Sequence, residues 1–427
     1  MYLGIDFGTS GARAVVIDDE NRILAALEYP FLLGERVSEP LPALWQRALF
    51  SLLGQISPEI RFSLQRILIN GTSATVLLCD RHGEPVTEPL LYNDNRAIAV
   101  VESLKAIAPA NNPVISATSS LAKLLWWQTN LNHLDFSNLY FMHQADWLSF
   151  LLHGQLGISD YHNTLKLGAD PETLSYPQWL LEGLNQIFAD VPPNLPKILQ
   201  SGCPIGVVTA KIAEKFNLAK NCLVCAGTTD SIAAFLASGA NQPGQAVTSL
   251  GSTLVLKLLS HTRVDDARYG IYSHRLGNFW LTGGASNTGG AVLRQFFTDE
   301  QLTELSDRIN PQQVSPLDYY PLIKPGERFP INDPQLLPRL DPRPDRPQEF
   351  LHGLLAAMAK IEAKGYALLQ QFGASSLTQV YTAGGGAKNA VWTKIRQRYL
   401  QVPVMISPQT EAAYGSAILA KSDSPNF

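Results

Sequence analysis

Only four cysteines occur in 427 residues: Cys79, Cys203, Cys222 and Cys225. Their small number and uneven spacing exclude a disulfide framework and point to a reducing compartment. Charge of one sign is also scarce, with Lys+Arg 33 against Asp+Glu 37 leaving a formal net charge of −4 and no long basic run. Nucleic-acid and anionic-membrane surfaces rest on clustered Lys and Arg, so neither is an expected partner. No apolar stretch reaches the roughly 18 residues that span a bilayer. Met1-Tyr2-Leu3 runs straight into a strand pattern with no basic and apolar leader before it, so a cytoplasmic location, or an organelle stroma after processing, is expected. The pattern GxxxxGK(S/T) is missing, which excludes a P-loop ATPase, and HExxH is missing as well.

What is present is the apolar share of a globular protein, 45%, with 16% charged residues, so disorder is excluded as the main state. At ~150 residues per domain the length fits two or three domains. Short β-branched or apolar runs at Tyr2–Ile5, Ala14–Ile17, Arg66–Asn70, Thr75–Cys79, Leu223–Ala226, Val247–Leu250, Leu254–Leu258, Val380–Thr382 and Val402–Ile406 read as strands. Helical patterns lie at Leu44–Leu53, Leu121–Thr129, Asp230–Ala237, Phe350–Leu369, Ala390–Leu400 and Ala412–Ala420. The chain is therefore α/β. A strand, Gly-Thr-Ser turn and strand at residues 4–16 is echoed at residues 247–256, which suggests two related domains. Eight prolines between Pro321 and Pro347 predict an extended, irregular segment, with Phe329, Ile331, Leu336, Leu337 and Leu340 as apolar anchors on the second domain.

Several groups suit chemistry. Asp6 stands at the end of a buried strand, followed by Gly8, Thr9, Ser10 and Gly11. Glycines let backbone N–H groups approach phosphate, hydroxyls add donors, and a carboxylate can hold Mg²⁺ or its waters. An ordinary hairpin with an Asp cap has the same composition. Gly251-Ser252-Thr253 repeats the turn without the acid. The run Ala383–Asn389 carries three glycines between a strand and a helix, where a flat ligand can lie on backbone and a helix N-terminus favours negative charge. It is not GxGxxG, so an adenosine cradle fits better than a dinucleotide site. Asp230 opens a helix after Thr228-Thr229, placed either to cap that helix or to accept a proton from a hydroxyl. Cys222 and Cys225, inside an apolar strand, read as buried thiols. His143, His162 and His274 read as solvated or structural. Trp126-Trp127 fits a core helix, with a sugar-stacking platform as the alternative.

In this order the motifs resemble the FGGY carbohydrate kinases, a branch of the actin-like ATPase superfamily. The matching segments are residues 3–10, 226–230, 249–253, 325–330 (Pro-Gly-Glu-Arg-Phe-Pro), 382–389 with Trp392, and 411–417, spread over nearly the whole chain. The resemblance implies two actin-like, ribonuclease-H-like domains around a central cleft. Residues 1–228 form the sugar side and 229–427 the ATP side, with the last helix returning to the hinge. It implies Asp230 as catalytic base, Asp6 as the residue serving Mg²⁺ and the sugar, and Thr9, Ser10, Gly11, Ala12 and Arg13 with Gly251, Ser252 and Thr253 as phosphate loops. Gly385, Gly386, Ala387, Lys388 and Asn389 resemble the adenosine contacts, helped by Gly290 and Arg294.

Departures inform the substrate. Many xylulose kinases carry Gln-Met-His after the glycine that ends the strand Arg66–Asn70, and glycerol kinases an Arg-Glu pair. Here the residues are Gly71-Thr72-Ser73-Ala74-Thr75. The short chain and the segments 70–73, 119–124 and 159–163 are similar to the small ribulokinase branch of cyanobacteria and plants. That similarity implies Ser73 as a sugar contact, and Asp94 and Arg96 resemble a sugar-side loop. The expectation is ATP- and Mg²⁺-dependent phosphorylation of a ketopentose, D-ribulose first, by a monomer or homodimer. A xylulose or polyol kinase, and a non-catalytic actin-like ATPase, are the alternatives.

Overall fold

The computed structural model describes residues 1–32, 39–110, 112–131, 133–188 and 191–422. They form two compact units, one from Met1 to Ala237 that also takes in the chain from Glu411, the other from Ser238 to Thr410.

The sheet of the first unit is built from β1 (Tyr2–Phe7), β2 (Gly11–Ile17), β3 (Ile23–Pro30), β4 (Arg66–Gly71), β5 (Pro204–Val207) and β6 (Leu223–Thr229), in the spatial order β3-β2-β1-β4-β6-β5. Strands β1, β4 and β6 are parallel; β2, β3 and β5 run antiparallel to their neighbours. Every residue of β1 is buried, as expected of a central strand covered on both faces. Leu3, Ile5 and Phe7 join the core made by Leu44, Trp45 and Leu49 of the helix Leu41–Gln55. On the alternate face, a Cβ at Gly4 would lie 2.0 Å from the Ala413 carbonyl oxygen and 2.3 Å from the Ala417 nitrogen. Only glycine admits the helix Ala412–Lys421 that close to the strand. A second core within this unit gathers Val76, Leu78, Leu121, Leu125, Trp127 and Phe141.

The second unit holds β7 (Gln245–Leu250), β8 (Leu254–Ser260), β9 (Tyr272–Leu276), β10 (Phe279–Ser286), β11 (Gln379–Ala383) and β12 (Val404–Ile406), ordered β9-β10-β8-β7-β11-β12. β7, β11 and β12 are parallel and the rest antiparallel. Each sheet thus starts with a hairpin, adds an antiparallel strand on one side and two parallel strands on the other. Each also carries one extra edge strand. The echoed turns occupy the same place in both, so the repeat seen in the sequence is a repeat of topology.

All nine expected strands and six expected helices are present within a few residues. Strands that escaped sequence reading are edges or glycine-bearing. β3 alternates half-buried and exposed positions, and β9 is polar at Ser273, His274 and Arg275. β10 contains Gly283 and Gly284, where a Cβ would meet the Leu256 oxygen at 1.9 Å and the Phe329 ring at 2.6 Å. The expected division after residue 228 differs from the observed one, because the helix Asp230–Ala237 belongs to the first unit. There a Cβ on Gly415 would sit 1.8 Å from the Ala233 oxygen, so this helix is locked to the returning C-terminal one. The proline-rich segment is irregular as expected and Phe329 is fully buried, but Leu337 is 68% exposed and anchors nothing. The helix Pro347–Gln371 supplies much of this unit's core. All four cysteines are free, and burial pushes the thiols of Cys222 and Cys225 up to about 12.

Candidate active site

Parallel strands β1, β4 and β6 end at one edge of the first unit's sheet, the place where open α/β sheets bind ligands. Asp6 is in register with Asn70, and Thr229 with Gly71. Asp6, the Ser73 turn after β4 and Asp230 after β6 therefore share that edge. Asp6 is 7% exposed and its Oδ1 is a buried acceptor with no hydrogen-bond partner among the described residues. Burial, then the charge of Asp230, raises its carboxyl from 3.8 to about 7, while Arg13 opposes the rise. Beside it, Asn70 donates to Ser416 Oγ at 2.8 Å and leaves its own oxygen unpaired. Asp230 is half-buried at the start of its helix, and the Ser231 N–H donates to its Oδ1 at 2.7 Å.

A buried polar network stands behind Asp230. Asp160 accepts from the backbone of His162 and Asn163, from Asn163 Nδ2 at 2.6 Å and from Ser201 Oγ at 3.2 Å. His162 Nδ1 lies 2.8 Å from Thr228 Oγ1, two residues before the acid. His143 pairs with Asp146 at 2.9 Å. Both histidines are buried, which selects the structural reading over the solvated one.

Two lysines, missed in the sequence, complete this edge. Lys123 is wholly buried and its Nζ donates to the carbonyls of Ala74 and Leu91, both at 2.6 Å. Burial lowers its pKa to about 7. It pins the turn in which Ala74 adopts φ +64° and Ser73 is half-buried. Lys166 is half-buried, with its pKa lowered by burial and partly restored by the charge of Asp230. A lone lysine in an apolar helix has no sequence signature that separates it from a surface residue. Asp94 and Arg96 ion-pair with each other at 2.8 Å, and the Arg96 guanidinium covers the Trp126 ring at 5.1 Å. Trp127 is core, so of the two indoles only Trp126 is near the surface, and a cation already covers it.

The Gly8–Gly11 turn closes with the Gly8 N–H donating to the Gly11 carbonyl at 3.0 Å. Thr9 and Ser10 are exposed, Gly11 is half-buried and Ala12 buried. Arg13 points its Nε to Glu411 at 3.5 Å.

In the second unit a cavity of about 720 Å³ is lined by Gly251, Ser252, Gly290, Arg294, Gly385, Gly386, Lys388 and Asn389, all expected at a nucleotide. Its walls are stitched together: the Gly290 N–H donates to the Gly251 carbonyl at 2.9 Å, and Ala291 to Ser252 at 3.1 Å. Arg294 reaches Ser252 Oγ at 3.4 Å. Thr253 and Ala387 are outside the lining, and Ala387 is buried beneath the turn. Asn389 Oδ1 caps the helix Ala390–Leu400 through the Trp392 N–H, and its Nδ2 donates to Ser306. It therefore ties the glycine turn to the helix Asp299–Asp307, which brings Asp299, Thr303, Ser306 and Asp307 to the cavity. Those residues were missed, although the Thr298/Gln301 capping box that starts their helix is legible in the sequence.

Among the described residues no helix is long and apolar enough to cross a membrane, and no cluster of three or more His, Cys, Asp or Glu suits a metal ion. Mg²⁺ needs only one or two carboxylates when phosphates supply the rest, and the unpaired Oδ1 of Asp6 fits that demand.

Residues 1–237 match the FGGY family of carbohydrate kinases, N-terminal domain, and residues 246–422 match the C-terminal domain of the same family. A xylulose kinase of Staphylococcus xylosus is 24% identical over 98% of this chain and 90% of its own length. A D-ribulokinase of Saccharomyces cerevisiae is 21% identical over 100% of this chain and 72% of its own. Among solved structures, a xylulose kinase from Brucella ovis superposes with a TM-score of 0.85 at 22% identity, covering 98% of this chain and 89% of that one. The chain belongs to the FGGY family of carbohydrate kinases. It is an ATP-dependent sugar phosphotransferase with the actin-like fold.

Proposed function

We propose that the sugar is a ketopentose, D-ribulose first, phosphorylated at its C5 hydroxyl. The observation that carries this reading is the shared edge of β1, β4 and β6, which assembles Asp6, Ser73 and Asp230 at one place. Relatives named xylulose kinase and D-ribulokinase support the ketopentose class. The small Ser73 hydroxyl, where longer side chains stand in xylulose and glycerol kinases, favours ribulose within it.

Asp230 accepts the proton of the C5 hydroxyl as its oxygen bonds to the γ-phosphorus; the bond to the β–γ bridging oxygen breaks and ADP leaves. Lys166 is close enough to Asp230 for the two to interact: burial lowers the lysine's pKa and the charge of Asp230 partly restores it. Arg294 and the backbone of Gly251 and Ser252 bind the phosphate tail, and the Gly385–Asn389 turn takes the adenosine. Asp6 would hold Mg²⁺ or its waters, which supplies charge neutralisation on the phosphates. Turnover of ATP against a panel of pentuloses, hexuloses and polyols tests the assignment. The greatest kcat/KM with D-ribulose is expected; a preference for D-xylulose or a polyol refutes the substrate, and ATP turnover indifferent to every sugar refutes the site.

A further inference from the structure

The motif Pro325–Pro330 takes no part in the chemistry above, yet it carries a buried acid. Glu327 is 2% exposed, and its partners among the described residues are two hydroxyls and two backbone N–H groups. Its charge is held by these hydrogen bonds. Oε2 accepts from Ser286 Oγ at 2.6 Å and from the Tyr320 hydroxyl at 3.1 Å; Oε1 accepts from the backbone N–H of Asn287 at 2.6 Å and of Arg328 at 2.8 Å.

We infer that Glu327 is a positioning residue of the nucleotide site, fixing the segment 286–289 that leads into Gly290 of the cavity lining. From the carboxylate the path is short. Ser286 Oγ, which donates to Glu327, accepts from the Thr288 N–H at 3.1 Å. The Thr288 carbonyl takes the Leu254 N–H at 2.8 Å, and the Gly290 N–H is bonded to Gly251. Asn287 is clamped from its other side too, donating to the Gly326 carbonyl at 2.9 Å and accepting from Arg328 Nε at 2.7 Å. Gly289, at φ +146°, has no room for a side chain, since a Cβ would lie 2.7 Å from the Ser252 oxygen. The two turns of the wall therefore move together, and the carboxylate sets where they rest. All four partners donate, two to each carboxylate oxygen. Glutamine keeps one acceptor for the two backbone N–H groups but turns its amide protons toward the Ser286 and Tyr320 hydroxyls, so both of those bonds must reverse, and aspartate is one methylene too short to reach both sides.

The inference rests on the cavity being the nucleotide site, and calorimetry on the parent protein separates the two: failure to bind ATP refutes that reading itself. With ATP binding established, Glu327→Gln is expected to raise the KM for ATP by roughly tenfold or more. The KM for the sugar should stay near the parent's. Ser286→Ala, which cuts the path to Thr288, should shift the ATP KM in the same direction by a smaller factor, and Tyr320→Phe, which removes the longest of the four bonds and leaves the path intact, by a smaller factor still. Should Glu327→Gln fail to fold, Ser286→Ala against Tyr320→Phe decides alone. An ATP KM unchanged in Glu327→Gln and Ser286→Ala, or both substrates' KM values raised alike, overturns the inference.

Discussion

The guanidinium of Arg396 meets the carboxylate of Glu362 at two points, 2.7 Å each, with both side chains shut off from solvent. The same guanidinium donates to Thr382 Oγ1 in β11, and the same carboxylate accepts from Thr248 Oγ1 in β7. β7 leads to Gly251 and β11 to Gly384, so one buried ion pair anchors both strands whose ends make the cavity. Removing the cation strands a buried anion: Arg396→Met should cost about 3–5 kcal/mol. Arg396→Lys keeps the charge but loses the fork, and should cost less. Urea unfolding of the whole chain measures both, and a Met variant as stable as the parent would contradict the arrangement.

Asp230→Asn should lower kcat by about 10²–10⁴, the usual worth of a positioned general base. Calorimetric ATP affinity should persist, because the cavity of the second unit does not include residue 230. Near-normal turnover sinks the role given to Asp230.

Burial and Asp230 place the Asp6 carboxyl at about 7, above its unfolded value of 3.8. The folded state therefore binds the proton more tightly than the unfolded one. Stability declines as pH rises between those two values and is level above the higher one. Asp6→Asn removes this titration and the sugar kinase activity together. Relative to the parent it should gain little near pH 4 and roughly 1–4 kcal/mol near pH 8. Denaturation midpoints at the two pH values check it, and a stability difference independent of pH rejects it.

Two neighbouring glycines should part company. A Cβ on Gly385 meets nothing within 4 Å, whereas one on Gly386 meets the Trp392 ring at 2.7 Å and Leu250 at 2.8 Å. Gly385→Ala should keep the parent's Tm while raising the ATP KM, since the methyl enters the cavity. Gly386→Ala should lose stability by about 1–3 kcal/mol through overpacking. Thermal melts with ATP titrations distinguish the pair.

Gly4→Ala should be more damaging than its location near the terminus suggests. The added carbon falls on the backbone of the helix Ala412–Lys421, which cannot move without leaving β1. A loss of roughly 3 kcal/mol or more is expected, with early proteolysis at the C-terminal helix; an unchanged melt argues against this packing.

Much of the fold was legible because its central strands are apolar runs and its helices periodic, so burial and period announced them. β3 and β9 were not, since edge strands answer to a neighbour on one side only. β10 was hidden by glycines that exist to admit Phe329 and Leu256. Asp6, the hydroxyl turns, Asp230 and the glycine run are chemistry written in short local segments, which is why the kinase family could be read directly from them.

Lys123, Glu327 and Glu362 are different. Each is a charge that the chain buries far from its sequence neighbours' business, and nothing local says whether a charged side chain will meet solvent or two distant carbonyls. The sequence by itself determined the class of reaction and marked the groups proposed to touch the reactants. Only the tertiary structure decided what holds them in place, because a buried charge is stable only where partners from several strands and helices converge on it.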